Sequence, residues 1–450
     1  MKKTILLTAA LLCAWCASAQ EPQGETLVLT LEQALQIALS ESPTIKIADQ
    51  QIDIKRYAKQ GTYASLYPQI DASASYQRVI EKQTMVMDFG GQTNTIKVGS
   101  DNSFNGGITA AMPLINAQLW SSLRVSALDV ELAVEKARSS RLDMVEQVTQ
   151  AYYTVLLAKE SLAVYKRVYD NAVQNNRNIK KRYEVGSVSE YDLITSNVSV
   201  QNAEPNVFAA ENSVTLTLWQ LKALLGIDLQ RNIDVAGALT DYESAMARAY
   251  DMTGLDLQNN STLRQLDIQE EQLDSAVKIT KMANVPSLAI NAAYLYTALG
   301  NDGKFFRKDA WNPYAYAGLS LNIPIFAGNS KRAATRQARL NLSTLQLQRE
   351  NTERQLRVAV VQNLNTMDTS ARQYGSSAAT VAQAQRGYEI AVKRYEVGSG
   401  TLVEIDNSQL GLTQAELSRN QAIYNFLTAK VALDKLLGEN DYEDYEQDAQ

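Results

Sequence analysis

The 450-residue sequence contains no histidine, and its two cysteines, Cys13 and Cys16, stand close to its start. Those absences exclude a great deal. Without imidazole or thiolate there is no zinc site of the usual kind, no histidine base and no cysteine or histidine nucleophile. Without further cysteines no disulfide staples the body of the chain. No metal ligand set or cofactor motif emerges, so no cofactor is expected. Past the first residues, no apolar run approaches the ~20 residues that a membrane helix needs. Positive charge is outnumbered, 43 Lys and Arg against 49 Asp and Glu: the net charge is −6, and it falls to −8 if Lys2 and Lys3 are removed. An acidic chain without a basic cluster is a poor nucleic-acid binder, and none is expected as a partner.

What is present begins with a leader. Lys2 and Lys3 precede an apolar run from Ile5 to Trp15, and Ala17-Ser18-Ala19 supplies small residues for cleavage. Residues 1–19 therefore read as a secretory signal removed after Ala19. Cys16 follows Cys13-Ala14-Trp15, which is no lipobox, so no lipid anchor is expected. Secretion without a membrane helix leaves one way to cross a bilayer, a closed β-barrel.

The remainder repeats itself. Lys181-Arg182-Tyr183-Glu184-Val185-Gly186-Ser187 returns as Lys393-Arg394-Tyr395-Glu396-Val397-Gly398-Ser399, at an offset of 212. The same offset carries Asp192 to Glu404, Ala203-Glu204 to Ala415-Glu416, and Leu224-Leu225-Gly226 to Leu436-Leu437-Gly438. Met112-Pro113-Leu114 answers to Ile323-Pro324-Ile325, and Pro68 to Pro286. The expected division is a first repeat over 20–230 (helix, two strands, long helix, helix), a second over 231–438, and an acidic, disordered tail over 439–450.

Within each half the periodicity switches between two and near 3.6. After Pro68, apolar Ile70, Ala72, Ala74 and Tyr76 alternate with Asp71, Ser73, Ser75 and Gln77, as in a strand. Phe104, Ile108, Ala110 and Met112 form a second such face. In the other half, Leu288, Ile290, Ala292, Tyr294 and Tyr296 form a third, and Ala315, Ala317, Leu319, Leu321 and Ile323 a fourth. Each run is close to the ~9–11 residues of a tilted membrane strand. The polar segments 81–103 and 299–313 read as long external loops. Four strands cannot close a barrel, since the smallest membrane barrels have about eight, and lipid tolerates no open edge. The chain must therefore oligomerise if its strands lie in a bilayer; the count leaves dimer and trimer open.

From Asn116 to Arg182 there is neither proline nor glycine, and apolar residues recur at steps of three, four and seven. Such a helix makes a rod of roughly 105 Å. Shorter helices are expected over 30–66, 188–226, 255–284 and 400–438. The expected packing is one long helix against two short ones in each half.

The leader, the duplication, the paired strands ending at Met112-Pro113-Leu114 and Ile323-Pro324-Ile325, and the two Arg-Tyr-Glu-Val-Gly turns together resemble TolC-type outer-membrane factors over essentially the whole chain. The resemblance implies a mainly α protein with a membrane β-barrel. Four strands per chain would contribute to a shared twelve-stranded trimeric barrel, continued through the periplasm by an α-barrel of coiled-coil-like helices. It implies a homotrimer in outer-membrane lipid, with a periplasmic adaptor (membrane fusion) protein and an inner-membrane pump of RND or ABC type as partners. Its activity would be passive export, in efflux or type I secretion.

The same resemblance assigns residues. Val185, Gly186, Ser187, Val397, Gly398 and Ser399 would form the inner mouth and meet the adaptor, besides ending their helices. Glu404 and Asn407 match the paired acidic rings of the pore constriction. Asn407 departs from an acid, and Asp406 adds local charge while pointing elsewhere on a helix. A ring of carboxylates in a narrow pore favours cations, whereas the plainer role of these acids is to sit well at a helix N-terminus. The gate latch matches at Asp192 and Tyr395, with Tyr183 as the counterpart of Tyr395 in the first turn. The latch arginine of the family falls on Gly400, and Arg182 and Arg394 are possible substitutes.

A soluble periplasmic coiled-coil scaffold or adaptor also fits the helices and the repeat, but not four alternating runs of bilayer length beside prolines. Enzymatic activity is not expected. Carboxylates scattered along rods enclose no pocket. Gly398-Ser399-Gly400 lacks the lysine of a phosphate loop, and Gly300-Asn301-Asp302-Gly303 lacks the spaced acids of a calcium loop.

Overall fold

A computed structural model describes residues 26–89, 92–246, 256–301 and 310–439. The expected leader, both cysteines, the tail from residue 440 onward and Asp302-Gly303 lie outside these residues.

In chain order the elements are β1 (Leu27–Leu29), α1 (Leu31–Glu41), α2 (Pro43–Ala64), β2 (Gln69–Arg78), β3 (Gln83–Phe89), β4 (Gln92–Val98) and β5 (Asn102–Ile115). Then come α3 (Ala117–Glu184), α4 (Glu190–Leu225), β6 (Ile233–Val235), a 3₁₀ turn (Leu239–Tyr242) and α5 (Glu243–Met246). The last elements are α6 (Ser261–Met282), β7 (Ser287–Gly300), β8 (Trp311–Asn322), α7 (Ser330–Glu396) and α8 (Leu402–Leu437). The protein is mainly helical, with long antiparallel helices and one four-stranded antiparallel sheet, as the residue patterns lead one to expect.

The structure differs from expectation in three places. The helix expected over 30–66 is two helices, because Pro43 cannot donate to the preceding turn and opens α2 instead. The helix expected over 255–284 begins only at Ser261. The segment 81–103, read as loop, contains the hairpin β3–β4.

The contacts divide the chain into two compact units. One takes in the chain up to Ile47, Ser139–Asn260 and the chain from Gln355 onward. Its core is aliphatic, with Leu29, Leu35, Val148, Val155, Leu156, Leu221, Leu225, Leu239, Ile423 and Leu433 nearly inaccessible. A parallel pair of three-residue strands, β1 and β6, is stitched across this core, Leu27 opposite Ile233 and Leu29 opposite Val235. Tyr152 of α3 closes on both strands. Its hydroxyl lies 2.6 Å from the Ala236 carbonyl and 3.1 Å from that of Leu29. Lys159, two turns on, donates to the Asp234 carboxylate and the Val235 carbonyl. Helix α4 ends on Gly226, in the left-handed region at φ +71°, where a β-carbon would sit 3.1–3.2 Å from Pro43, Glu41 and Ser42. Only glycine meets both demands there.

The other unit, Ala48–Arg138 and Ser261–Arg354, carries the sheet. Its strand order is β2-β5-β7-β8, antiparallel throughout. The register brings the four expected apolar faces to one side: Ile70 opposite Ala110, Ala72 opposite Ile108, Ile108 opposite Tyr294, and Ile290 opposite Leu319. That side is apolar and exposed, with Ile70, Leu319 and Leu321 all more than 60 % accessible. Tyr76, Phe104 and Trp311 cluster at the end of the sheet nearest the hairpin, with ring centroids 4.5 and 6.2 Å apart. The reverse side is more polar, with Asp71, Ser73, Asn105, Thr109, Asn291 and Ser320, and it also carries Leu295, Leu299, Tyr314 and Tyr316. Asn291 donates to Ser320 at 2.9 Å, and Thr297 donates to Asn105 at 3.2 Å. Gly107 lies so close to β7 that a β-carbon would strike the Tyr294 carbonyl and come within 2.8 Å of Leu295 Cα. Pro113, which has no N–H, occupies a register shift in β5, and Pro313 lies in edge strand β8, the two settings that suit proline in a sheet.

Candidate functional site

Both Arg-Tyr-Glu-Val-Gly turns end their long helices in the same way. In the first, the Gly186 N–H donates to the Tyr183 carbonyl and the Ser187 N–H to the Arg182 carbonyl. In the second, Gly398 donates to Tyr395 and Ser399 to Arg394. This paired 5→2 and 6→1 bonding is a Schellman cap, and it needs a left-handed residue at the glycine. Gly186 and Gly398 supply it at φ +73° and +76°. The caps turn Val185 and Val397 outward to 78 % and 79 % accessibility. Ser189 and Thr401 then cap the next helices by accepting from the Asp192 and Glu404 N–H groups.

The two turns lie side by side. Ile179, Ala391, Leu402 and Ile405 form a small buried cluster, against which Val188, Leu193, Tyr388, Val392 and Tyr395 pack. Polar pairs on the facing helices extend the contact, with Asn171 donating to Gln409 and Asn176 to Ser196 and Asn197. A cavity of about 440 Å³ opens beside them, lined by Asn178, Lys181, Arg182, Tyr395 and Glu396 among others.

The acids after the second turn separate. Glu404 forms an ion pair with Arg394 at 3.2 Å, and Arg394 also donates to the Ser399 carbonyl. Asp406 turns to α4, where it accepts from the Ser199 hydroxyl at 3.2 Å. Burial raises the Asp406 carboxyl above its ordinary range, with the Ser199 bond opposing. Asn407 is exposed. Asp406 thus points away from Glu404, as its place on the helix implies.

Among the expected latch residues, Tyr395 and Asp192 come near each other and Tyr183 does not join them. Burial first, and the Asp192 charge second, push the Tyr395 hydroxyl above its ordinary pKa, while Arg182 pulls it down. That hydroxyl is inaccessible and makes no hydrogen bond among the described residues. Tyr183 is partly exposed, at 40 %. A contact of Arg182, one of the two possible substitutes for the latch arginine, joins the turns. The Arg182 guanidinium donates to the Tyr395 carbonyl at 3.2 Å and the Glu396 carbonyl at 2.7 Å, and lies 5.8 Å from the centre of the Tyr395 ring. The visible signal was the recurrence of one arginine at both turns.

The family model described as "Outer membrane efflux protein" matches residues 34–227 and 254–439, most of the chain. The chain belongs to this family. Among its relatives, the pyoverdine export outer membrane protein OpmQ of Pseudomonas aeruginosa is 25% identical over 91% of this chain and 85% of its own length. The alkaline protease secretion protein AprF of the same species is 23% identical over 94% and 87%. Among solved structures, the CmeC outer membrane channel of Campylobacter jejuni superposes with a TM-score of 0.74 at 18% identity, covering 96% of this chain and 94% of that one. VceC of Vibrio cholerae gives 0.72 at 15%, over 91% and 96%. This outer-membrane protein is accordingly a channel of the efflux and secretion type, not an enzyme. The soluble-scaffold reading is set aside.

Proposed function

We propose that three copies of this channel protein close one twelve-stranded barrel in the outer membrane and continue it inward as a helical tunnel through which cargo passes passively. The four-stranded sheet carries this reading. One face is apolar and exposed with aromatic residues at one end, the other is more polar, and among the described residues the outer edges of β2 and β8 are unpaired. An apolar face suits lipid and a polar face suits a water-filled lumen. Open edges are not tolerated in lipid, so neighbouring copies must supply the missing partners.

In this reading the capped turns form the inner mouth. Val185, Gly186 and Ser187, with Val397, Gly398 and Ser399, would receive the hairpin of a periplasmic adaptor, which joins the duct to an inner-membrane pump of RND or ABC type. The two outward valines support the assignment. Glu404, Asp406 and Asn407 would narrow the pore, and Asp192, Tyr395 and Tyr183 would belong to its gate. The leader over 1–19 and the duplication over 20–230 and 231–438 are part of the proposal. Pairing of Glu404 with Arg394 makes the constriction a ring of alternating charges, less selective for cations than bare carboxylates would be. Relatives are named for exporting pyoverdine and for secreting alkaline protease, and this chain would serve efflux or type I secretion in the same manner.

The test is the mass of the mature protein extracted from cell envelopes in mild detergent. A trimer that needs detergent to leave the envelope is expected. A monomer or dimer in the soluble fraction would sink the shared barrel.

A further inference from the structure

The sheet of one chain is a two-stranded unit and its repeat. Pro68 answers to Pro286 at an offset of 218, and Met112-Pro113-Leu114 to Ile323-Pro324-Ile325 at an offset of 211. The first offset carries β2 onto β7, and the second carries β5 onto β8. The ladders obey both. Gln69 opposite Ala111 becomes Ser287 opposite Asn322, and Ser73 opposite Gly107 becomes Asn291 opposite Gly318. Tyr76 opposite Phe104 likewise becomes Tyr294 opposite Ala315. The middle ladder, β5 on β7, joins one unit to the next. Its own repeat would join β8 to β2, the two outer edges of the sheet.

We propose that β8 of one chain pairs antiparallel with β2 of a second chain in the register that β5 keeps on β7. This deepens, and rests on, the reading of the sheet as part of a barrel shared by three copies. The same offsets turn Ile108 opposite Tyr294 into Leu319 opposite the partner's Tyr76, and Ala110 opposite Ala292 into Leu321 opposite the partner's Ala74. Thr109 opposite Ala293 becomes Ser320 opposite the partner's Ser75, and Met112 opposite Ile290 becomes Ile323 opposite the partner's Ala72.

Three observations favour this register. It keeps the faces together, since Leu319 and Leu321 meet Tyr76 and Ala74 of the same exposed apolar side, whereas a slip of one residue would set apolar against polar. It also accounts for a bare segment. Strand β5 runs past Ala111, its last pair with β2, and residues 112–115 lie along β7 alone. Their counterparts, residues 323–326, lie past Asn322, the last pair of β8 with β7, and there Ile325 and Phe326 are 93 % and 89 % accessible. In the proposed register this segment lies along the partner's β2, and Pro324 takes the register shift that Pro113 occupies in β5. The third observation is a glycine. A β-carbon on Gly107 would strike the Tyr294 carbonyl and crowd Leu295, so the close approach of β7 demands glycine there. Gly318 is its counterpart, yet nothing lies within 4 Å of the position its β-carbon would take. The neighbour that would account for Gly318 is the partner's β2, at Tyr76 and Gln77 of the partner subunit.

The experiment is disulfide trapping in cell envelopes, with every variant and the parent also sized in mild detergent. Ser75→Cys combined with Ser320→Cys puts thiols on directly opposite residues, whose β-carbons stand ~4.5–5.5 Å apart, close to the span of a disulfide. Oxidation with diamide should triple the apparent mass on a non-reducing denaturing gel, and reductant should restore the single chain. Ser73→Cys combined with Ser320→Cys is displaced by two residues, to roughly 7–8 Å, and should leave most chains single. Each single variant should stay single too, which controls for Cys13 and Cys16. Should a serine pair fail to assemble, Ala74→Cys with Leu321→Cys reads the same register from the apolar side and must cross-link. If only the displaced pair is trapped, or if no pair is trapped although the trimer persists, the register is overturned and the trimer stands. If the parent itself is no trimer, the shared barrel falls and the register with it.

Discussion

Replacing Tyr152 with phenylalanine removes one oxygen from the point where α3, β1 and β6 meet. The ring is 2 % accessible and its packing survives the change. What is lost is the hydrogen bond to the Ala236 carbonyl, at 2.6 Å, together with the approach to the Leu29 carbonyl. The Leu29 carbonyl keeps the Ala236 N–H as a donor. The Ala236 carbonyl loses the phenol, and stranding a buried acceptor costs about 1–3 kcal/mol. Titration gives a second handle. Burial, reinforced by Tyr242, raises the Tyr152 pKa from 10.0 to about 12, against the pull of the Ala236 bond. The folded protein therefore favours the neutral phenol, by an amount on the order of 3 kcal/mol. Because the folded value lies above the unfolded one, this contribution is complete below pH 10 and disappears as the pH climbs through about 12. Guanidinium unfolding followed by circular dichroism should show Tyr152→Phe weaker than the parent near neutrality. The gap should shrink through that alkaline window, since phenylalanine cannot ionise. A gap below about 0.5 kcal/mol near neutrality, within the range of ordinary surface changes, would refute the account, as would a gap that stays constant with pH.

Asp406→Asn should stabilise the protein at neutral pH. Burial holds the carboxyl's pKa high, so ionisation is unfavourable in the folded state, and stability present in acid is lost as pH rises through the raised pKa. The amide escapes that loss and can still accept from Ser199; the advantage should vanish on acidification, and a melting-temperature gain equal at both extremes would contradict it. Gly398→Trp should strain the second cap by about 1–2 kcal/mol, because a φ of +76° suits glycine, but it meets no atom within 4 Å of its β-carbon; the trimer should survive that cost while capture of the adaptor in detergent extracts fails. Undiminished co-purification would place adaptor docking away from these turns.

The features legible in the sequence were those with a long or repeated local signal. Ile70, Ala72, Ala74 and Tyr76 announce a strand because their alternation persists for a whole membrane crossing, and the register confirms that such faces coincide across all four strands. The stretch without proline or glycine before Arg182 announces α3. Strands β1 and β6 are three residues each, too short for a period, and are held by a tyrosine far away in sequence. Hairpin β3–β4 carries Met85, Val86 and Met87 in succession, so no clean alternation marks it. At the mouth, the caps and acids could be named from the turns alone. The Arg182 contact could not, because it spans 213 and 214 residues and exists only once the two turns stand together.

The two ladders of the outer hairpin are out of step. Arg78 faces Asn102, and pairing resumes with Gln83 opposite Val98, so four residues intervene on one strand and three on the other. Lys82, Asp101 and Asn301 pin the joint, through the Lys82–Asp101 ion pair and the Asp101 N–H bond to Asn301. A slip of one residue exchanges the faces of a strand. The rule that sorts side chains between lipid and lumen along β2 and β5 therefore stops at this joint. Beyond it, the alternation along β2 and β5 no longer dictates which way the side chains of β3 and β4 face. The joint thus separates two hairpin ladders whose faces are set independently.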